Sequence, residues 1–420
     1  MHSRLSRNAL LKLVAELVGR GAWFALNLWA ARRLGESGFG LYSYGYALGF
    51  VLVQIADLGL QVTVAREVAV AGRLARTAVW TALRIKLFLS LPVLALLAVF
   101  SIGRPAPVQA SFLLLGAALL AHTFLEFAAY IFRGEQRLEK EAGLLAGARL
   151  LAAALGGVAL GLGGGLLWLT LSLLIAEGAA TIWAFRLLVR EGWLAGPGLG
   201  GEAPWRGLLR QAMPIGLATF LSIAYTRLAV FLLEARLGEA AVAQFSAAQR
   251  LVEPTQIVPA ALLAAVFPAY ASALHREPGW AKRLSFRSSL LLALGGGGLA
   301  LAFWFLAPVL IPLLYGEAYQ NSVRVLQFLG LTIPPAYLNY SLTHLLIARG
   351  QQRFLTPFVA AMLALHAGLG WRLIPGLGAA GPAVSAVAAE GLLALCCLFA
   401  LTLVRPGQIG APAPDGRQGR

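Results

Sequence analysis

The sequence predicts an all-α, polytopic membrane protein of twelve transmembrane helices, written as a six-helix set that is repeated in parallel. Three observations predict it. First, 59% of the residues are hydrophobic and only 12% charged, with a mean hydropathy of +0.76. A soluble domain carries about 25% charged residues, and no soluble fold has enough interior to hide so much apolar chain. Second, twelve stretches approach or exceed the roughly 20 apolar residues that one crossing needs. Third, the hexapeptide "RGEQRL" at Arg133 returns as "RGQQRF" at Arg349.

The spans fall at 8–31, 40–65, 82–102, 108–132, 142–161, 166–185, 209–233, 241–268, 288–314, 322–347, 355–371 and 379–403. The first is too long for a cleaved signal and carries Glu16 and Arg20, so it is expected to be retained. Arg66, Arg73 and Arg76 follow span two on one side of a helix, which is expected to lie along the cytoplasmic leaflet. Spans five and six are separated only by "LGGG", a tight hairpin. The Gly/Pro-containing connector at 191–208 divides an N-terminal lobe (1–190) from a C-terminal lobe (209–404), and a Pro/Gly-rich tail (405–420) is expected to be disordered. Prolines 254, 259 and 268 in span eight and Pro334–Pro335 in span ten are candidate bending points. Cys396 and Cys397 are adjacent and cannot staple distant segments.

Charge sets the orientation. With the N-terminus in the cytoplasm, 24 of the 34 Lys and Arg lie on that side or at its span ends, Lys86 among them. Five lie opposite (Arg32, Arg33, Arg104, Arg236, Arg372) and five within spans. The positive-inside rule therefore predicts cytoplasmic termini. The formal net charge of +16 is then a topology and lipid-headgroup signal, and no nucleic-acid partner is expected.

The doubled hexapeptide follows spans four and ten. "RLGESGFGLYS" from Arg33 echoes "RLGEAAVAQFS" from Arg236 after spans one and seven, and "SLLIAEG" from Ser172 echoes "SAVAAEG" from Ser385. The offsets are 216, 203 and 213 residues, all in one order. Six spans is an even number, so both copies face the same way, the parallel repeat used by some transporters.

The stretch "RRLGESGFGLYSYGYALGFVLVQIADLGLQVTVARE" resembles the N-terminal signature of the polysaccharide transporter family, which includes the O-antigen flippases. "LYGEAYQNSVRVLQFLGL" and "RLIPGLGAAGPAVSAVAAEG" are similar to its C-terminal signatures. The resemblance covers about residues 8–404 and extends to the superfamily that also holds multidrug antiporters and lipid II flippases. It implies two six-helix lobes around a central cavity, and movement of isoprenoid-pyrophosphate-linked oligosaccharide to the outer leaflet of a bacterial inner membrane. The implied partners are that lipid-linked oligosaccharide, a coupling H⁺ or Na⁺, the bilayer, and glycan polymerase or glycosyltransferases. His366, Gly370 and Ala229 depart from the Asn, Asn and acid that the family often has there.

Such cargo needs a polar, cationic path at membrane depth. Eleven ionisable residues fall within the spans: Arg20, Arg149, Arg227, Arg250, Arg324, Glu16, Asp57, Glu126, Glu177, Glu253 and Glu390. Each costs about 2.5–3.5 kcal/mol at a helix centre, so most must be paired or in water. Glu16, Arg20, Trp23 and Asn27 share one helical face. Ser43, Tyr46, Gln54, Asp57 and Gln61 share another, and Ser246, Gln249, Glu253 and Gln256 a third, with Arg250 beside it. Arginine forks suit phosphate, so Arg20, Arg227 and Arg250, with Asn27 and Gln249, are the candidate substrate-binding residues. Asp57, Glu126, Glu253 and Glu16 are the candidate ion-coupling acids; Glu177 and Glu390, in the "AEG" echo, are read as structural.

Two other classes compete. A multidrug or small-molecule cation antiporter would share the fold but want acids and aromatics without the arginine set. A membrane glycan polymerase or ligase would be an enzyme, commonly with a large external loop that this sequence lacks. His122, His344 and His366 have no metal-ligand spacing, and no Walker motif is present. No catalytic residue, metal or cofactor is expected.

Overall fold

The computed structural model describes residues 2–194 and 204–403. The described residues are helical throughout, with no strand. Among the described residues, nine segments are long and apolar enough to cross a membrane. Two of them, Val14–Asp57 and Leu355–Thr402, have 44 and 48 residues and contain internal breaks, so each holds two of the expected spans. The chain divides into two compact units, Met1–Ala243 and Gln244–Arg420.

Unit 1 contains α1 (His2–Asp57), α2 (Leu60–Ala71), α3 (Arg76–Ser101), α4 (Ala106–Gly134), α5 (Leu138–Gly161), α6 (Leu166–Arg190), α7 (Trp205–Leu237) and the start of α8 (Glu239–Val252). Gly35 breaks α1 with φ 68° and ψ −176°, at the Leu-Gly turn that ends the first expected span. Helix α4 packs against α6, α1 against α5, and α7 against α1, α2 and α3. The core at one end gathers Leu60, Val64, Val79, Phe127, Phe132 and Trp193. By sequence repeat α7 opens the second half of the chain, yet it packs within unit 1. Residues 195–203 of the expected connector, and the whole tail at 405–420, lie outside the described residues.

Unit 2 contains the rest of α8, then α9 (Ile257–Arg276), α10 (Pro278–Tyr315), α11 (Ser322–Gly330), α12 (Ile333–Ala348), α13 (Leu355–Leu377) and α14 (Gly381–Leu403). Helix α12 packs against α10 and α14, and α13 against α14. The prolines mark real breaks. A tight 3₁₀ turn at Glu253–Gln256 holds Pro254 and separates α8 from α9. Span ten is interrupted at Leu331–Thr332, just before Pro334–Pro335 in the first turn of α12, where a missing N–H does no harm. Both hexapeptides are helix-to-helix turns, with Gln136 (φ 60°) in the first and Gly350 (φ 70°) in the second.

Candidate functional site

In unit 1 the polar face expected on span one continues into span two as an aromatic row. Glu16 and Arg20 pair with each other at 3.2 Å, with side chains 36% and 50% exposed. Two turns further along, Asn27 is buried and its Nδ2 donates to the Trp23 carbonyl at 2.8 Å. The Trp23 ring lies 5.8 Å from that of Tyr46, and Tyr46 stacks on Phe50 at 5.8 Å with an interplanar angle of 10°. The Arg227 guanidinium, from α7, lies 5.4 Å from the Phe50 ring and 5.9 Å from that of Tyr46. A cation over a ring gains about 0.5–2 kcal/mol.

Asp57 ends α1. Its Oδ1 accepts from Lys86 Nζ at 2.9 Å and its Oδ2 from the Gly59 backbone N–H at 3.2 Å. Lys86, on α3, is fully buried and also lies 5.5 Å from the Phe124 ring. Gly59 (φ 81°) turns the chain into α2. Helix α7 crosses that turn so closely that a Cβ on Gly216 would sit 2.4 Å from the Leu58 carbonyl carbon.

A second ionisable cluster joins α4 to α6. His122 Nδ1 lies 3.0 Å from Glu177 Oε2, and its Nε2 lies 3.7 Å from Glu126 Oε1. The Thr181 hydroxyl donates to the Ala121 carbonyl across the same helix pair at 2.7 Å. Glu177 is buried, whereas Glu126 keeps a third of its side chain exposed.

In unit 2, Arg250 and Glu253 form a local pair at 3.7 Å, Arg250 buried and Glu253 38% exposed, with half-buried Gln249 on the same helix. Asn339 Nδ2 donates to Glu390 Oε2 at 2.7 Å and to the Glu390 carbonyl at 2.8 Å, joining α12 to α14. His366 Nδ1 lies 2.8 Å from the Ser385 hydroxyl, both buried. Of the three arginines singled out in the sequence, Arg20 and Arg227 belong to unit 1 and Arg250 to unit 2.

The turn that carries the first hexapeptide has its own charge cluster. Glu191, just beyond α6, accepts from Arg137 Nη1 at 2.8 Å and from Lys140 Nζ. Arg73 pairs with Glu135 at 3.3 Å and stacks over Trp193 at 4.6 Å. The expected leaflet-lying face thus places one of its arginines against protein. The hydrogen bonds from Arg137 and Lys140 hold the Glu191 carboxyl down at about 2, and those from Glu191 hold Arg137 above its ordinary value.

Two residues of these sites were given no substrate or coupling role from the sequence. Lys86 sits within one turn of a span end and counts there as a cytoplasmic charge. An unpartnered Asp57 at membrane depth was the signal that a cation had to lie nearby. His122 is one turn before Glu126 on the same helix, a spacing that was readable. Among the described residues, no group of three His, Cys, Asp or Glu could hold a metal ion.

Among the described residues only helices occur, and nine segments are long and apolar enough to cross a membrane, which defines a multi-pass membrane protein. Its fold is that of the transporters of the MOP superfamily. A multidrug resistance MATE family transporter of that superfamily, in an inward-facing conformation, superimposes with a TM-score of 0.70 at 16% identity, over 95% of this chain and all of that one. The lipid II flippase MurJ gives 0.72 at 13% identity, over 94% and 87%. A point mutant of the Vibrio cholerae MATE transporter VcmN gives 0.63 at 18%, over 96% and 98%. No curated relative matches the sequence. The family itself is shown by residues 5–274, which match the model described as polysaccharide biosynthesis protein, and the chain belongs to that family.

Proposed function

We propose that this protein is a flippase. It would move the headgroup of an isoprenoid-pyrophosphate-linked oligosaccharide across a bacterial inner membrane, by alternating access and with ion coupling. The observation that carries this reading is the row Trp23–Tyr46–Phe50 with Arg227 stacked against it. Flat aromatic faces suit the apolar faces of sugar rings, and a guanidinium suits pyrophosphate through charge-assisted, forked bonds. Membership of a polysaccharide-biosynthesis family supports a glycan cargo. Asn27 belongs to the same row. Arg20, Arg250 and Gln249 remain candidates of lower rank, since Arg20 and Arg250 each already face an acid.

For coupling we favour Glu126. It is accessible, and its neighbour His122 carries a side chain that can gain and lose a proton. Asp57, Glu16 and Glu253 each face a cation of their own. The charge count supports cytoplasmic termini and a second six-helix set beginning near residue 209.

The test is headgroup translocation in proteoliposomes, read by an external reagent on a fluorescent isoprenoid-pyrophosphate glycolipid. Arg227→Ala is expected to slow the initial rate about tenfold or more, the effect of about 1.4 kcal/mol. Arg227→Lys should fall between, with thermal stability unchanged in both. Wild-type rates in both variants would sink the phosphate assignment. A second reading, a cation antiporter, draws support from the MATE neighbours. Efflux of cationic dyes without glycolipid transfer would establish it instead.

A further inference from the structure

Helices α5 and α6 form a hairpin, yet they do not close against each other along its first half. An open cavity of about 420 Å³ lies between them, bounded by Lys140, Gly143 and Gly147 on α5 and by Ala179 and Trp183 on α6. Gly143 and Gly147 are one helical turn apart, and a Cβ on either would meet nothing within 4 Å. The groove is therefore opened by missing side chains; buried Leu144 and Ala148 also line it, and Trp183 on its other side is 57% exposed. The groove runs from Lys140 to Leu151. Eleven helical steps of 1.5 Å make roughly 16 Å, about half of a 30 Å hydrocarbon core. It begins at the charged end of α5 and stops near mid-membrane, the depth of a chain confined to one leaflet.

The charged end carries Lys140 and Arg137, both bonded to Glu191. A lysine ammonium has three donors, so the Glu191 bond leaves capacity for a phosphate oxygen. The internal repeat supplies a contrast. At the hexapeptide offset, Thr356, Val359 and Leu363 stand where Lys140, Gly143 and Gly147 do, so neither the lysine nor the glycine pair is demanded by the repeat. We infer that this groove binds an acyl chain of an anionic phospholipid from the cytoplasmic leaflet, with its phosphate at Lys140. Basic pockets between helices on that side of a membrane are suited to such headgroups. The inference rests on the orientation read from charge and is independent of the cargo.

The experiment uses the full chain in nanodiscs doped with phosphatidylglycerol bearing a photoreactive diazirine midway along one acyl chain, and in parallel the phosphatidylcholine analogue. Adducts are mapped by peptide mass spectrometry. The phosphatidylglycerol adducts should concentrate in residues 138–151 and 179–187 and exceed those of phosphatidylcholine about tenfold, as about 1.4 kcal/mol of headgroup preference would give. Gly147→Leu fills the groove without a clash and should remove the adducts. Gly157→Leu, on the same helix and equally open, should leave them. Lys140→Gln should erase the headgroup preference. Thermal unfolding of both leucine variants controls for folding, with Gly143→Val replacing Gly147→Leu should the latter be destabilised. Adducts spread evenly over other lipid-facing helices, equal capture of the two lipids by wild type, or capture unaffected by filling would each overturn the inference. So would cross-links from the groove to a second copy of the chain.

Discussion

The "AEG" echo puts a glutamate on α6 of unit 1 and on α14 of unit 2, and the two glutamates are used differently. Glu177 meets His122, with Glu126 one turn further along. Glu390 meets the amide of Asn339. One bond ties α6 to α4 and the other α14 to α12, so as clamps they are equivalent. As chemistry they are not: an amide is a fixed donor, whereas an imidazole can change its charge. Neighbouring contacts differ in another way. Unit 1 ties helices with Lys86–Asp57 and Arg104–Glu234, and unit 2 with His366–Ser385 and Ser289–Ser341. In these neighbouring contacts unit 1 pairs full charges, whereas unit 2 pairs hydroxyls with each other and with an imidazole.

The largest expected effect tests that contrast directly. His122→Gln keeps a hydrogen-bonding side chain but cannot be protonated, and it is expected to abolish gradient-driven transport in proteoliposomes. Glu390→Gln keeps an acceptor for Asn339 and should retain most of it. Equal losses in the two variants would break the distinction between the clamps.

A smaller effect, on stability, concerns the buried pair of unit 1. Lys86→Met leaves Asp57 charged and uncompensated, which should cost about 3–5 kcal/mol in thermal or denaturant unfolding. Adding Asp57→Asn should recover most of that. A single variant as stable as wild type would mean that Asp57 has another cation.

The smallest concerns the turn at the first hexapeptide. Glu191 is held at about 2, below the ordinary value of 4.5. Its contribution to stability is therefore complete above about 4.5 and is lost as the pH falls towards 2. Glu191→Gln should flatten the unfolding midpoint across that window and leave it steeper nowhere else. The second hexapeptide has Gln351 where the first has Glu135, so the acid in this turn belongs to one copy, while both keep their two arginines.

The helical membrane class was legible because it depends on chain composition and order. The break at Gly35, the hairpin at "LGGG" and the interruptions beside Pro254 and Pro334 were legible for the same reason, since glycine and proline act locally. Helical spacing also gave the faces that carry Glu16–Arg20 and Arg250–Glu253. It could not give partners on other helices. Lys86 reaches Asp57 across 29 residues and His122 reaches Glu177 across 55, and only packing sets those meetings. Arg227 was legible as a buried cation, but its seat on Tyr46 and Phe50 depends on how α7 lies against α1. That packing also explains why the boundary expected before α7 and the division at residue 243 differ: one follows the repeat, the other contact.

The interruption at Leu331–Thr332 bears on how the chain is made. Helix α11 has nine residues and α12 sixteen. At 1.5 Å per residue, nine residues reach roughly 14 Å, less than half a hydrocarbon core, and sixteen fall short as well. Neither can be handed from the ribosome's insertion channel to lipid as a finished crossing. The two must leave together, with the N–H groups of Leu331 and Thr332 already bonded to the carbonyls of Phe328 and Leu329. Helix α10, which both of them touch, is synthesised just before them and offers a surface on which to wait.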